Sequence, residues 1–137
     1  MPGYYLNTDF CVFSKIPLDA LRDELGSSLE IASYGESSGA RYHLTANARG
    51  SGDLDAPRDP DRDIESILEA VNELSAVGAT RLSACDKRTM NVGWQSGAER
   101  PENSFSVSAE LLSAMASDVI DLAVTIYPSS EDERSKS

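Results

Sequence analysis

Hydrophobic and polar residues alternate near the start of the chain, a pattern typical of strands with one buried face. The alternation covers Tyr4–Phe13 and returns in Leu29–Glu36 and Ala40–Ala48. The segment Gly35–Gly39 is rich in residues that tolerate tight bends, so the last two strands are predicted to form a hairpin. A short helix is predicted between the first two strands, from Pro17 to the terminating Gly26.

The second predicted helix has the strongest signals in the chain. Asp59 is a suitable N-cap, and Pro60 suits the first helical position. Apolar residues then recur at helical spacing, and Gly78 is predicted to end the helix. These apolar positions are Ile64, Ile67, Leu68, Val71 and Leu74.

The second half of the chain returns to strand patterns. A strand is predicted over Thr80–Lys87, and the alternation of Met90, Val92 and Trp94 allows a further strand. Phe105–Val107 is predicted as a short strand, after which Ser108 caps a third helix. Ile120–Ile126 alternates with one fully apolar face, which predicts a central strand.

This order of elements predicts an α+β fold with one antiparallel or mixed sheet of about five to six strands and two to three helices on one face. Residues 1–128 are expected to form a single domain, and 129–137 to form a disordered polar tail. The uncovered face of the sheet is expected to be solvated or to dock a partner.

The stretch Phe105–Met115, which contains Glu-Leu-Leu, and the following strand Ile120–Tyr127 form a family-like pattern. It resembles the end of a family of small bacterial proteins catalogued as "domain of unknown function" forty-two seventy-nine. The resemblance implies a bacterial α+β domain with no known catalytic residues. Such domains are often met near toxin and immunity genes, so the resemblance implies an immunity role.

Charge limits the classes of partner. The chain has 23 acidic residues against 12 basic ones, a formal net charge of −11. So negative a domain repels nucleic acid and anionic membranes and attracts basic surfaces. We therefore expect a partner protein with a basic surface, no nucleic acid and no membrane, while the oligomeric state stays open.

Location is predicted from three further observations. No apolar run approaches the ~20 residues that cross a bilayer. The N-terminus lacks the basic and apolar regions of a signal peptide. Cys11 and Cys85 lie in apolar runs, where buried reduced thiols are expected. These features together predict a cytoplasmic protein.

Two catalytic or metal-binding motifs are incomplete. Gly35–Gly39 matches the G-x-S-x-G nucleophile elbow, with Ser37 as nucleophile and His43 as the single histidine, but a strand rather than a helix follows. The loop Gly50–Asp63 contains five aspartates but does not match an EF-hand. Counted from Asp53, Pro57 stands at ligand position five, Arg58 at the glycine position six, and Ile64 at the glutamate position twelve. No catalytic residue, metal or cofactor is therefore expected.

The sequence thus predicts an acidic, non-enzymatic binding protein, in particular an immunity-type inhibitor that occludes a basic site on a toxin or effector. The expected acidic surface consists of Asp53, Asp55, Asp59, Asp61, Asp63, Glu65, Glu69 and Glu73. Trp94 is expected in the core or, alternatively, as an exposed anchor at the interface. Two other functions stay open: a DNA-mimic inhibitor of a nucleic-acid-binding complex, and a small serine hydrolase.

Overall fold

The computed structural model describes residues 4–37, 41–48, 59–96 and 106–128. These residues form a five-stranded sheet with four helices. Their order along the chain is β1 (Tyr4–Ser14), α1 (Asp19–Leu25), β2 (Leu29–Ser37), β3 (Arg41–Ala48), α2 (Pro60–Asn72), α3 (Ala76–Ser83), β4 (Lys87–Gln95), α4 (Ala109–Ser117) and β5 (Asp121–Tyr127).

The sheet has the strand order β2-β3-β1-β4-β5. Its first four strands pair antiparallel, with the N-terminal strand β1 at the centre, and β5 joins β4 in parallel. The predicted α+β class and mixed sheet are therefore confirmed. The described part of the chain contains four helices, slightly more than the predicted two to three.

One hydrophobic core fills the space between the sheet and the helices. Phe10 and Val12 of β1 point into it with Leu44 of β3, and all three are fully buried. Ile64 and Ile67 of α2 cover them from the helix side. Burying such a side chain contributes about 1.5–3 kcal/mol, so the apolar stripe of α2 holds that helix on the sheet.

The predicted start of the second helix is confirmed, but its predicted end is wrong. Asp59 Oδ1 accepts a hydrogen bond from the backbone N–H of Arg62 at 3.3 Å, and Pro60 is the first residue of α2. The helix ends at Asn72, and Gly78 lies buried inside α3. A Cβ at Gly78 would meet the Glu24 carboxylate, so a larger residue fits there only if that carboxylate moves, which favours glycine while Glu24 keeps its position.

The strand predicted over Thr80–Lys87 is also wrong. Thr80–Ser83 belongs to α3, whose N-cap Ser75 accepts a hydrogen bond from the backbone N–H of Gly78 at 3.0 Å. The next strand is β4, which begins at Lys87 and includes the alternation through Trp94. Leu82 and Ala84 are spaced as in a strand, which is why a strand was predicted. The segment is helical instead, because Ser75 caps α3 and the helix buries Gly78 and Leu82.

The predicted central position of the last strand is wrong as well. β5 lies at the edge of the sheet and pairs with β4 alone among the described strands. Before α4, Ser106–Ser108 form no strand, while Phe105 lies outside the described residues. The predicted tail 129–137 lies outside them too. Both cysteines are free thiols, Cys85 buried and Cys11 half-buried.

Candidate functional site

Three of the predicted acidic residues, at the start of α2, accept hydrogen bonds from other residues of the fold. Asp59 caps the helix, as described above. Asp61 Oδ1 accepts a hydrogen bond from the backbone N–H of Ser108 at 3.1 Å, which attaches the start of α4 to α2. Asp63 Oδ2 accepts a hydrogen bond from the Tyr5 hydroxyl of β1. These carboxylates are therefore structural groups, and their capacity to bind a partner is reduced.

The remaining predicted acids of α2 form one outward line. Glu65 and Glu69 lie four residues apart on the same face of α2, Glu73 follows four residues later as the C-cap of the helix, and all three are exposed. We call them the α2 acidic stripe. Within the described parts of the chain, the ion pairs join Arg22 to Asp19 and Asp23, so no cation neutralises this stripe.

The other predicted acidic positions, Asp53 and Asp55, lie outside the described residues. Across the residues that are described, no group of three His, Cys, Asp or Glu side chains is arranged to hold a metal ion. The α2 acidic stripe is thus the part of the predicted surface that the structure places together and leaves exposed.

Trp94 lies near the end of β4 and is 8% exposed. Its strand places it on the helix side of the sheet, in register with Tyr5 of β1 and Ile126 of β5. A buried ring at this position agrees with the prediction of a core residue. It does not agree with an exposed anchor, because an anchor must present its ring to a partner.

The described part of the serine motif, Gly35–Ser37, is the end of β2, while Ser38 and Gly39 lie outside the described residues. Ser37 is the last residue of β2 and pairs with Arg41 of β3, so the motif joins two antiparallel strands. His43 Nε2 lies 3.0 Å from the hydroxyl of Ser33, a different serine. The described segment therefore lacks the strand-to-helix turn that lifts a nucleophilic serine in hydrolases.

The face of the sheet opposite the helices is polar. At its centre, Asp9 Oδ1 accepts hydrogen bonds from the Nδ2 atoms of Asn7 and Asn47, each at 3.4 Å. Partial burial raises the pKa of the Asp9 carboxyl, and the bond from Asn47 opposes that rise. Nearby, burial raises the pKa of the half-buried Cys11 thiol, which disfavours the reactive thiolate. This face offers amide and carboxylate groups that are already bonded to one another.

A second exposed surface lies at the β5 edge of the sheet. Leu122, Val124 and Ile126 point to the helix side, yet 41%, 44% and 62% of their surfaces are exposed. Leu112 of α4 and Val119, which follows α4, are exposed beside them in the chain. We call these five residues the β5 edge surface. Exposed apolar side chains grouped along one strand, as in Leu122, Val124 and Ile126, mark interaction sites in soluble proteins.

Val119 adopts an unusual backbone conformation. The end of α4 forms a Schellman motif, in which Ile120 N–H bonds to Met115 C=O at 2.9 Å and Val119 N–H bonds to Ala116 C=O at 3.1 Å. Val119 therefore has a φ of 55°, which glycine adopts readily and a β-branched residue does not. The chain keeps an exposed, strained valine where glycine would be more stable.

Comparisons of the chain with protein-family models, with curated proteins and with solved structures gave no match. The resemblance noted from the sequence therefore stays a prediction. Within the described residues, no helix is both long and apolar enough to cross a membrane.

Sequence reasoning placed Leu122, Val124 and Ile126 in a central strand and Leu112 on the buried face of the third helix, and it made no prediction for Val119. The alternation in Ile120–Ile126 is the same for a central strand and for an edge strand with an uncovered apolar face. The composition of residues 106–128, with Glu110, Asp118 and Asp121 but no Lys or Arg, does not distinguish these two positions either.

Proposed function

We propose that the protein is a non-catalytic binding protein, an immunity-type inhibitor that neutralises a toxin or effector by covering a basic site on it. The observation that carries this proposal is the α2 acidic stripe, whose three exposed carboxylates have no ion-pair partner among the described residues. The net charge of −11 adds a long-range attraction for a cationic surface.

The stripe suits this role for a physical reason. Like charges at intervals of four residues destabilise a helix by about 0.2–0.5 kcal/mol per pair, so Glu65 and Glu69 lower the stability of α2, and Glu73 at its C-cap extends the same negative line. A basic partner relieves that repulsion on binding and leaves its own cations unavailable to substrate. Electrostatic complementarity of this kind mainly accelerates association and selects the partner.

The proposed partner is a bacterial protein, and the proposed place of action is the cytoplasm, where Cys11 and Cys85 stay reduced. The resemblance to a family met near toxin and immunity genes supports both statements. The proposal gives the protein no reaction of its own.

The test begins with the product of the neighbouring gene, or with a protein captured from lysate by the full chain, and measures its association rate in low and high salt. Glu65→Gln, Glu69→Gln and Glu73→Gln together should slow association by about tenfold or more in low salt. The control is Glu30→Gln, Glu36→Gln and Asp86→Asn, which changes the net charge equally but lies on β2 and before β4. Equal rates for the two triple variants, or association insensitive to salt, would contradict the proposal.

A further inference from the structure

The two edge strands of the sheet, β2 and β5, differ in how well they are protected against pairing with an additional strand. The outer strand β2 has glutamates at Glu30 and Glu36 and a register shift between Ile31 and Ser33, devices that discourage another strand from pairing. The register of β5 with β4 is continuous from Asp121 to Tyr127, and Asp121 is the single charged residue of β5. Among the described residues, β5 is therefore the edge of the sheet that is less protected against pairing with another strand.

The exposed side chains of β5 match this less protected edge. Leu122, Val124 and Ile126 extend the apolar layer of the sheet beyond the area that the described helices cover. A strand added beside β5 would place alternate side chains next to these three residues. Its other side chains would lie on the opposite face, in the row of Asp121 and Thr125.

The charge around this edge indicates the chemistry of the occupant. Asp121 is the first residue of β5, Asp118 directly precedes Val119, and residues 106–128 contain these two acids and Glu110 but no Lys or Arg. Arg88 approaches the edge, but its Nε donates to Val119 C=O at 3.2 Å and its Nη1 to Leu82 C=O at 2.8 Å. These carbonyl acceptors are neutral, so Arg88 keeps its charge, but the three acids outnumber this one cation and the net charge of the group is negative. A second copy of this chain would bring the same acids and a charge of −11 with it, which disfavours self-association.

We infer that the β5 edge surface binds an extended segment of a basic partner protein, which adds to the sheet as a sixth strand. The segment alternates apolar side chains, packed against Leu122, Val124 and Ile126, with Lys or Arg side chains near the acids of residues 106–128. This inference rests on the proposed function, because it names the part of the basic partner that docks. The strained Val119 supports it, since its exposed side chain enlarges the apolar surface at a cost in stability.

The experiment selects heptapeptides from a random display library on the full chain, and then measures the affinity of the selected peptides in solution. We expect enriched peptides that alternate apolar and basic residues. Val124→Lys and Ile126→Lys should weaken their binding by about tenfold or more. Val77→Lys is the matched control, because Val77 is 63% exposed on α3, away from the strand. Ile126→Lys keeps the test decisive if Val124→Lys does not fold.

The outcomes separate this inference from the proposed function. Failure to enrich alternating basic peptides, or equal binding to the Val77→Lys and Ile126→Lys variants, would overturn the inference. A dimer in sedimentation equilibrium that Val124→Lys dissociates would also overturn it, in favour of a second copy at the edge. The two proposals can also fail separately. If the β5 variants no longer bind the peptides, the inference stands. If the variant with a neutralised α2 acidic stripe still binds the whole partner as the wild type does, the stripe proposal fails.

Discussion

Val92 and Val124 lie side by side in the parallel strands β4 and β5 and point to the same face of the sheet, yet Val92 is fully buried and Val124 is 44% exposed. The described helices cover Val92 of β4 and leave Val124 of β5 exposed. Two valines that are neighbours in register therefore have different roles: one stabilises the core, and the other is available to a partner.

The first prediction compares these two valines. Val92→Ala should lower the free energy of unfolding by about 2 kcal/mol, because it removes two buried methyl groups and leaves a cavity. Val124→Ala should lower it by less than about 1 kcal/mol, since much of its side chain already contacts water. Urea denaturation of both variants measures the difference. Equal losses would show that β5 is covered in solution and would contradict its assignment as the less protected edge.

The second prediction concerns the strained residue after α4. Val119→Gly should raise the free energy of unfolding by about 1 kcal/mol, because glycine adopts a positive φ without the steric cost of a β-branched side chain. The same substitution should weaken binding of the basic segment, since it removes an exposed apolar side chain from the β5 edge surface. Thermal denaturation and peptide affinity are measured on the same sample. A less stable variant, or one that binds with unchanged affinity, would contradict the role given to Val119.

The third prediction is a pH dependence at the contact between β1 and α2. Burial, and then the hydrogen bond to Asp63, raise the pKa of the Tyr5 hydroxyl above its ordinary value. The unfolded chain therefore loses this proton near pH ~10, while the folded chain retains it. Stability from Tyr5 is complete below that pH and decreases as the pH rises further, by at most about 1.4 kcal/mol per pH unit.

Tyr5→Phe serves as the control for this titration. At neutral pH it should lower the free energy of unfolding by about 1.5–3 kcal/mol, because Asp63 loses a hydrogen bond to its carboxylate. Above pH ~10 the difference between the variant and the wild type should shrink. Unfolding experiments on both proteins across this range give the result, and a constant difference would show that the hydroxyl ionises normally.

The fourth prediction concerns the contact between α1 and α3. Glu24 Oε1 accepts a hydrogen bond from the backbone N–H of Ser75 at 2.8 Å, and its Oε2 accepts one from the Ser75 hydroxyl at 3.0 Å. A Cβ at Gly78 would displace this carboxylate. In the Glu24→Ala background, Gly78→Ala should therefore stabilise the protein by about 1 kcal/mol through helix propensity. In the wild type the lost Ser75 contacts should cancel that gain.

A double-mutant cycle measures this coupling. It requires the free energies of unfolding of the wild type, both single variants and the double variant. If Gly78→Ala has the same effect in both backgrounds, the carboxylate does not restrict residue 78, and the explanation for the glycine is wrong.

Local sequence signals predicted the elements that local interactions determine. The second helix started where Asp59 and Pro60 indicated, and Ser108 caps α4 through a hydrogen bond from the Leu111 backbone N–H at 3.2 Å. α3 was missed because its residues alternate over a short window, although Ser75 in front of it is a suitable cap.

These local signals could not predict the position of a strand within the sheet. The alternation of Leu122, Val124 and Ile126 reports that one face of β5 is apolar, but it cannot report whether a helix of the same chain covers that face. The internal use of Asp61 and Asp63 was equally hidden, because their partners, Ser108 and Tyr5, are distant in sequence.

Hydrogen–deuterium exchange of the full chain, with and without the captured basic partner, tests the central claim most directly. The account predicts that saturating partner slows exchange of the outward backbone amides in Asp121–Tyr127, while the amides of the opposite edge strand, Leu29–Ser37, keep their rates. Unchanged exchange in Asp121–Tyr127 within a saturated complex would contradict it.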